Sequence, residues 1–170
     1  MDVRALQEPL KAGYRNDPQS GRITLTARGG QVGQPIGCSI DLGRAQYAAQ
    51  AHAGVGGEGT GACSGDLLLG ALAACAQITC QMVAASMGLD VRNIAVTAEG
   101  DLDLRGTLGV DRAAPVGFTD IRLGFAVDAP AATPEELEGL RRRTERYCVV
   151  LQTLAEPPPI STSWPAAEVG

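Results

Sequence analysis

Lysine is almost absent from this sequence. Of its fourteen basic residues only Lys11 is a lysine. A Walker phosphate loop needs a Gly-Lys pair, so no such loop is expected. Histidine is equally scarce, with His52 alone, and no two of the five cysteines (38, 63, 75, 80 and 148) have CxxC spacing. These gaps argue against a metal site and against a secreted disulfide framework. The cysteines are expected to be thiols in a reducing cytoplasm. Aromatic residues make up only 4% of the chain, so Leu, Val, Ile and Ala must fill the core. The start, "MDVRALQEPLKAGYRNDPQSG", lacks a basic stretch followed by an apolar one and does not read as a signal peptide. Excess positive charge is missing too. The net charge is −5, which argues against nucleic acid or an anionic membrane as the main partner.

Charge disappears altogether between Leu67 and Met87, within "SGDLLLGALAACAQITCQMVAASMG". The run is long enough to span a bilayer. Its Gln77, Thr79, Gln81 and Ser86 and its wealth of Ala argue instead for a buried core helix. Ser64 is the expected N-cap, Asp66 suits the first turn and Gly88 the stop. A helix apolar nearly all round must be buried nearly all round, so a second copy of the chain is expected to cover part of it. Cys75 shares a face with Leu68, Ala71, Leu72, Ile78, Thr79 and Met82. Cys80, five residues on, diverges by about 140° and lies with Ala76, Val83 and Ala84.

Around this helix, residues 3–15 suggest a short helix in an N-terminal extension (1–21). "GRITLTARGG" alternates Ile23, Leu25 and Ala27 as a strand does. "VGQPIGCSIDLG" predicts a second strand, at an edge because of Pro35. "RAQYAAQAHA" is ambiguous. "NIAVTAEGDLDLR" and "FTDIRLGFAVDA" predict two further strands, the first running through Leu102 and Leu104. In "TPEELEGLRRRTERYC", Thr133, Pro134 and Glu136 spell a capped helix start. "VVLQTLA" continues that helix or begins another, and "ISTSW" suggests a last strand. This order predicts one α+β domain over 1–170 with antiparallel sheets around a long buried central helix.

"LLLGALAACAQIT" and "ERYCVVLQTL", some seventy residues apart, together with "AEGDLDLRG" between them, resemble the OsmC/Ohr family of thiol-dependent hydroperoxide reductases. The resemblance runs from about residue 22 to 164. It implies an OsmC-like fold, an intertwined homodimer, a peroxidatic Cys75 and a resolving Cys148. It also implies an organic hydroperoxide substrate, a Cys75–Cys148 disulfide and an external, lipoyl-type dithiol reductant, with no bound cofactor. Two positions depart from the family pattern. Val149 stands where proline often follows the second cysteine, and Gly65 stands ten residues before Cys75 where the peroxidase branch has glutamate, leaving Asp66 as the nearest acid.

Attack on a peroxide needs a thiolate. Cys75 lies about 15 Å along the helix from Gly65, too far for the start of its own helix to lower its pKa. Burial would raise it. With no charged side chain on the helix beyond Asp66, a cation is expected from elsewhere. The family draws an arginine from the N-terminal sheet, for which Arg44 is favoured over Arg28. The rival readings are a non-catalytic OsmC-like protein that binds a small ligand or senses oxidation, and a cysteine hydrolase using His52. "GVGGEG" at 54–59 fits G-x-G-x-x-G, yet it follows no clear strand and precedes no helix directly.

Overall fold

The computed structural model describes residues 3–25, 27–31, 37–43 and 45–165. Helix α1 (Val3–Asn16) leads into a three-stranded antiparallel sheet in the order β1 (Arg28–Gln31), β2 (Gly37–Asp41), β3 (Gln46–Gln50). The long helix α2 spans Ser64–Met87. A hairpin of long strands follows, β4 (Asn93–Leu102) and β5 (Phe118–Asp128), enclosing the short α3 (Leu104–Thr107). Helices α4 (Pro134–Tyr147) and α5 (Val149–Ala155) complete the described chain. The architecture is α+β with antiparallel sheets.

Local chemistry sets each boundary. α2 is capped by Cys63, one residue before the expected Ser64. The reason is Asp66, whose carboxylate accepts the Cys63 N–H at 2.9 Å and so fixes its partner three residues back. Gly88, with φ 74°, closes the helix, and Leu89 N–H reaches back to the Ala84 carbonyl at 3.0 Å. α4 starts as its sequence dictates: Thr133 and Glu136 exchange bonds of 2.8 and 3.2 Å. β4 stops at Leu102 and does not reach Leu104, because Asp103 accepts the Arg105 N–H at 3.0 Å and turns the chain into α3.

The N-terminal half differs most from expectation. β1 begins only at Arg28, and Ile23 and Leu25 are 79% and 86% exposed. Among the described residues no neighbouring strand is there to pair with them. β2 is the middle strand and not an edge, since the ambiguous "QYAAQ" supplies β3 on its far side. Pro35, on which the edge assignment rested, lies outside the described residues. Residues 160–164 form no strand, and Ile160 and Trp164 are each 86% exposed.

One face of α2 packs on the hairpin. Ile94, Val96 and Ala98 of β4 pair in register with Val127, Phe125 and Leu123 of β5, presenting an alternating apolar face. Gly100 lets that face close: a Cβ there would sit 2.6 Å from the Phe118 ring. α4 and α5 cover α2 next to this face, forming two clusters. Cys80, Val83, Ala84 and Leu140 make one, and Leu72, Ala76 and Cys148 the other. The helix is not buried all round: Leu68 and Ile78 remain exposed, and Met82 stays partly open although Gln7 of α1 donates to its sulfur. Among the described residues, α2 is the one helix long and apolar enough to cross a membrane.

Leu72 has no exposed surface. Leu72→Ala should therefore destabilise the fold by about 2–5 kcal/mol, read as a shift in the urea midpoint. Ile78→Ala, on the open face, should cost the isolated chain far less.

Candidate functional site

The candidate site forms where α2 meets the break between α4 and α5. Cys148 is at once the C-cap of α4 and the N-cap of α5. Its N–H bonds to the Thr144 carbonyl at 3.0 Å, and its own carbonyl accepts from Gln152 at 2.9 Å. With φ −73° and ψ 103°, the residue turns the chain out of one helix and into the next. The first amides of a helix have no partner within it. Here those of Val149 and Val150 face the Cys75 sulfur, and those of Val150 and Leu151 face the Cys148 sulfur.

Cys75 is half-buried in the cluster built on Leu72, Ala76 and Cys148, and Cys148 is fully buried. Both are free thiols, and their side chains face each other. Desolvation pushes the Cys75 pKa up. Against it act the Val150 amide, the Cys148 thiol, the Thr79 hydroxyl and the Val149 amide, and together they bring the pKa below its ordinary value. Cys148 moves the other way. Burial raises it first, and a negative charge on Cys75 raises it further, outweighing its own amide contacts. The surroundings of the pair thus act in opposite directions on the two sulfurs, lowering the Cys75 pKa and raising that of Cys148.

The groups that lower the Cys75 pKa within the chain carry no formal charge. Thr79 is uncharged, buried and on α2 itself, one turn beyond Cys75. The i, i+4 spacing put it within reach and was the available signal. The amides of Val149 and Val150 could not be anticipated without the helix break. Val149, which departs from the family's proline, supplies an N–H that proline lacks.

The other candidates lie elsewhere. Asp66 is exposed and bound to the α2 cap, nine residues and about 13 Å along the helix from Cys75. Its carboxyl lies below the ordinary range, chiefly through the Cys63 N–H. Arg44 lies outside the described residues. Arg28 starts β1, in a sheet that makes no extensive contact with α2 among the described residues. His52 is exposed and caps a single turn, with Nδ1 accepting from Gly54 N–H at 3.0 Å. Its charge partner among the described residues is Asp66 at the start of α2. The "GVGGEG" loop makes tight turns, with Gly56 and Gly59 at φ 92° and 72°. Cys80 packs against Leu140, and burial raises its pKa. Cys63 is the α2 cap, and the Cys38 side chain is not described. Among the described residues no three His, Cys, Asp or Glu side chains gather as metal ligands would.

Cys75 should alkylate with a pH midpoint below that of an ordinary thiol, because a lowered pKa moves thiolate formation to lower pH. Thr79→Val and Val149→Pro each remove one donor and should move the midpoint upward. Thr79→Ser should hold it. Iodoacetamide rates against pH, followed by peptide mass spectrometry, read all four. Proline is tolerated at the first position of a helix, so Val149→Pro isolates a single N–H.

The fold has solved counterparts. An OsmC-like protein from Mycoplasma pneumoniae superposes with a TM-score of 0.65 at 15% identity, covering 79% of this chain and 89% of that one. An organic hydroperoxide resistance protein from Elizabethkingia anophelis gives 0.62 at 16%, covering 80% and 91%. The organic hydroperoxide resistance protein OsmC from Legionella pneumophila gives 0.55 at 17%, covering 79% and 90%. At these identities the likeness is one of fold. No curated protein matches the chain. The family model described as OsmC-like protein matches residues 57–163, which takes in both cysteines of the site, and the chain belongs to the OsmC-like family.

Proposed function

We propose that the protein is a thiol peroxidase that reduces organic hydroperoxides, with Cys75 as the attacking sulfur and Cys148 as the resolving one. One observation carries this reading: two facing thiols whose surroundings push their pKa values apart. The Cys75 thiolate attacks the terminal oxygen of ROOH. The O–O bond breaks, RO⁻ leaves and takes a proton to become ROH, and Cys75 becomes a sulfenic acid. Cys148 then loses its proton and displaces hydroxide from that sulfur, giving the Cys75–Cys148 disulfide and water. An external dithiol, of the lipoyl type, returns both thiols by exchange and leaves as its own disulfide. A reducing cytoplasm is the compartment in which this cycle would run.

The apolar lining of the site (Leu72, Ala76, Val96 and Leu151) suits a hydrocarbon-bearing peroxide better than hydrogen peroxide. We assign the functional state to a homodimer. The open face of α2 at Leu68 and Ile78, and the bare Ile23, Leu25, Ile160 and Trp164, are the surfaces a second copy would bury. In that dimer an arginine of the N-terminal sheet, Arg44 in first place, would approach the partner's Cys75 and strengthen the thiolate.

Consumption of cumene hydroperoxide in the presence of a dithiol tests the reading. Wild type should turn over many equivalents. Cys75→Ser should lose consumption to background, and Cys148→Ser should stop after one equivalent with the sulfenic acid trappable by dimedone. A single stoichiometric oxidation in wild type, without turnover, would favour redox sensing. Unchanged consumption in Cys75→Ser would sink the assignment. Light scattering should give twice the chain mass of 17.5 kDa, and a monomer that turns over would remove the dimer from the proposal.

A further inference from the structure

A small, half-open cavity lies where α2, α4 and β5 meet and plays no part in the cycle above. Its volume is about 80 Å³, and Cys80, Phe125, Val127, Leu140, Arg141 and Thr144 line it. Cys80, Leu140 and Thr144 are each 2% exposed. Phe125, Val127 and Leu140 make its walls largely apolar.

One polar atom of this lining is unaccounted for. Thr144 Oγ1 is buried and has no hydrogen-bond partner. A threonine inside a helix can turn its hydroxyl back to the carbonyl one turn earlier, here that of Leu140, and Thr144 does not. It faces the Cys80 sulfur, but a neutral thiol is a weak donor and a weak acceptor. A buried hydroxyl without a partner costs stability, and valine would fill nearly the same shape without that cost. An unpaired hydroxyl on the wall of a cavity points to a ligand that supplies the missing bond.

Size, charge and polarity narrow the ligand. A dry protein cavity of about 150 Å³ takes benzene, so this one holds roughly three or four non-hydrogen atoms. An ion of either sign meets no free charge, because Arg141 is already held by Glu138 and Glu145. A buried water needs about two to four polar partners, and the lining offers one hydroxyl and one thiol. A purely apolar molecule would leave the hydroxyl unpaired. The remaining class is a neutral molecule with a hydroxyl at one end and a short hydrocarbon at the other.

We propose that this cavity binds a short-chain alcohol, ethanol or propanol in size. Its hydroxyl bonds to Thr144 Oγ1, and its carbons rest on Phe125, Val127 and Leu140. The site is separate from the thiol pair and does not depend on the peroxidase reading. Thr144 nevertheless joins the two, because its carbonyl accepts the Cys148 N–H at 3.0 Å. A ligand on the Thr144 side chain therefore steadies the residue that holds the end of α4 at Cys148. The alcohol acts as an effector of the helix break and not as a substrate.

Titration with 1-propanol, followed by methyl NMR in wild type, Thr144→Val and Thr144→Ser, tests the site. Wild type should give saturable shifts at Val127, Leu140 and Thr144, and exchange of the Cys148 amide should slow as the cavity fills. Thr144→Val keeps the shape and removes the hydroxyl. It should weaken propanol about fivefold, the worth of one neutral hydrogen bond, and leave xenon binding unchanged. Thr144→Ser should keep propanol binding. Without ligand, Thr144→Val should raise the urea midpoint or leave it unchanged, because an unpaired hydroxyl is lost. Shifts that never saturate, or equal propanol affinity in Thr144→Val, would overturn the proposal and leave water as the occupant. A lowered urea midpoint in Thr144→Val would overturn it as well, since the hydroxyl would then already have a partner. Saturable binding with no change in Cys148 exchange would remove the effector role and keep the site.

Discussion

The site depends on one break in the backbone. Had α4 run on through Cys148, the amides of Val149 and Val150 would have bonded to carbonyls one turn back, and Cys75 would face a closed ladder. Ending α4 at Tyr147 and restarting at Val149 frees those amides. Because Cys148 is the hinge residue, its thiol and the freed N–H groups come to the same place together. Leu72 and Ala76 of α2 and Leu151 and Leu154 of α5 then exclude water around them. Donors that would count for little in water matter more there.

The same burial acts oppositely on the two sulfurs. Desolvation alone would raise both pKa values and leave two inert thiols. The donors are shared unequally: Cys75 is faced by two amides, the Cys148 thiol and the Thr79 hydroxyl, and that sum outweighs its desolvation. Cys148 has two amides, but any charge on Cys75 stands against its own ionisation. The two facing sulfurs are therefore shifted in opposite directions. Cys80 is the internal comparison. It is also buried and on the same helix, but it faces Leu140 and Val83 and no freed amides, and its pKa moves up.

Periodicity made the second half of the chain legible. The strands through Val96 and Phe125, the capped start at Thr133 and the divergence of Cys75 from Cys80 all follow from local rules, because these elements bury one face against each other within the chain. The first half was less legible for the same reason. Ile23 and Leu25 alternate as a strand should, yet the chain offers them no neighbour. Pro35 pointed to an edge, whereas the pairing of β3 puts β2 in the middle, a matter of topology that no local signal carries. At the site, the two cysteines could be picked out, but the groups around Cys75 could not. The sequence pointed to a formal charge, whereas the structure places beside Cys75 a threonine one turn away and two backbone amides, which have no sequence signature until the helix is known to break.

α2 therefore serves different neighbours on different sides. Toward the hairpin it is plain core, through Ala76, Cys80, Val83 and Ala84. Toward α5 it carries Cys75, and Thr79 faces that sulfur from one turn on. Its remaining face, with Leu68 and Ile78, is left to solvent in the single chain. A charged side chain at Leu72, Ala76, Thr79, Cys80, Val83 or Ala84 would have to be desolvated against one of these buried surfaces. On its buried sides the absence of charge from this run, which made it look like a membrane span, follows from the apolar contacts the helix makes.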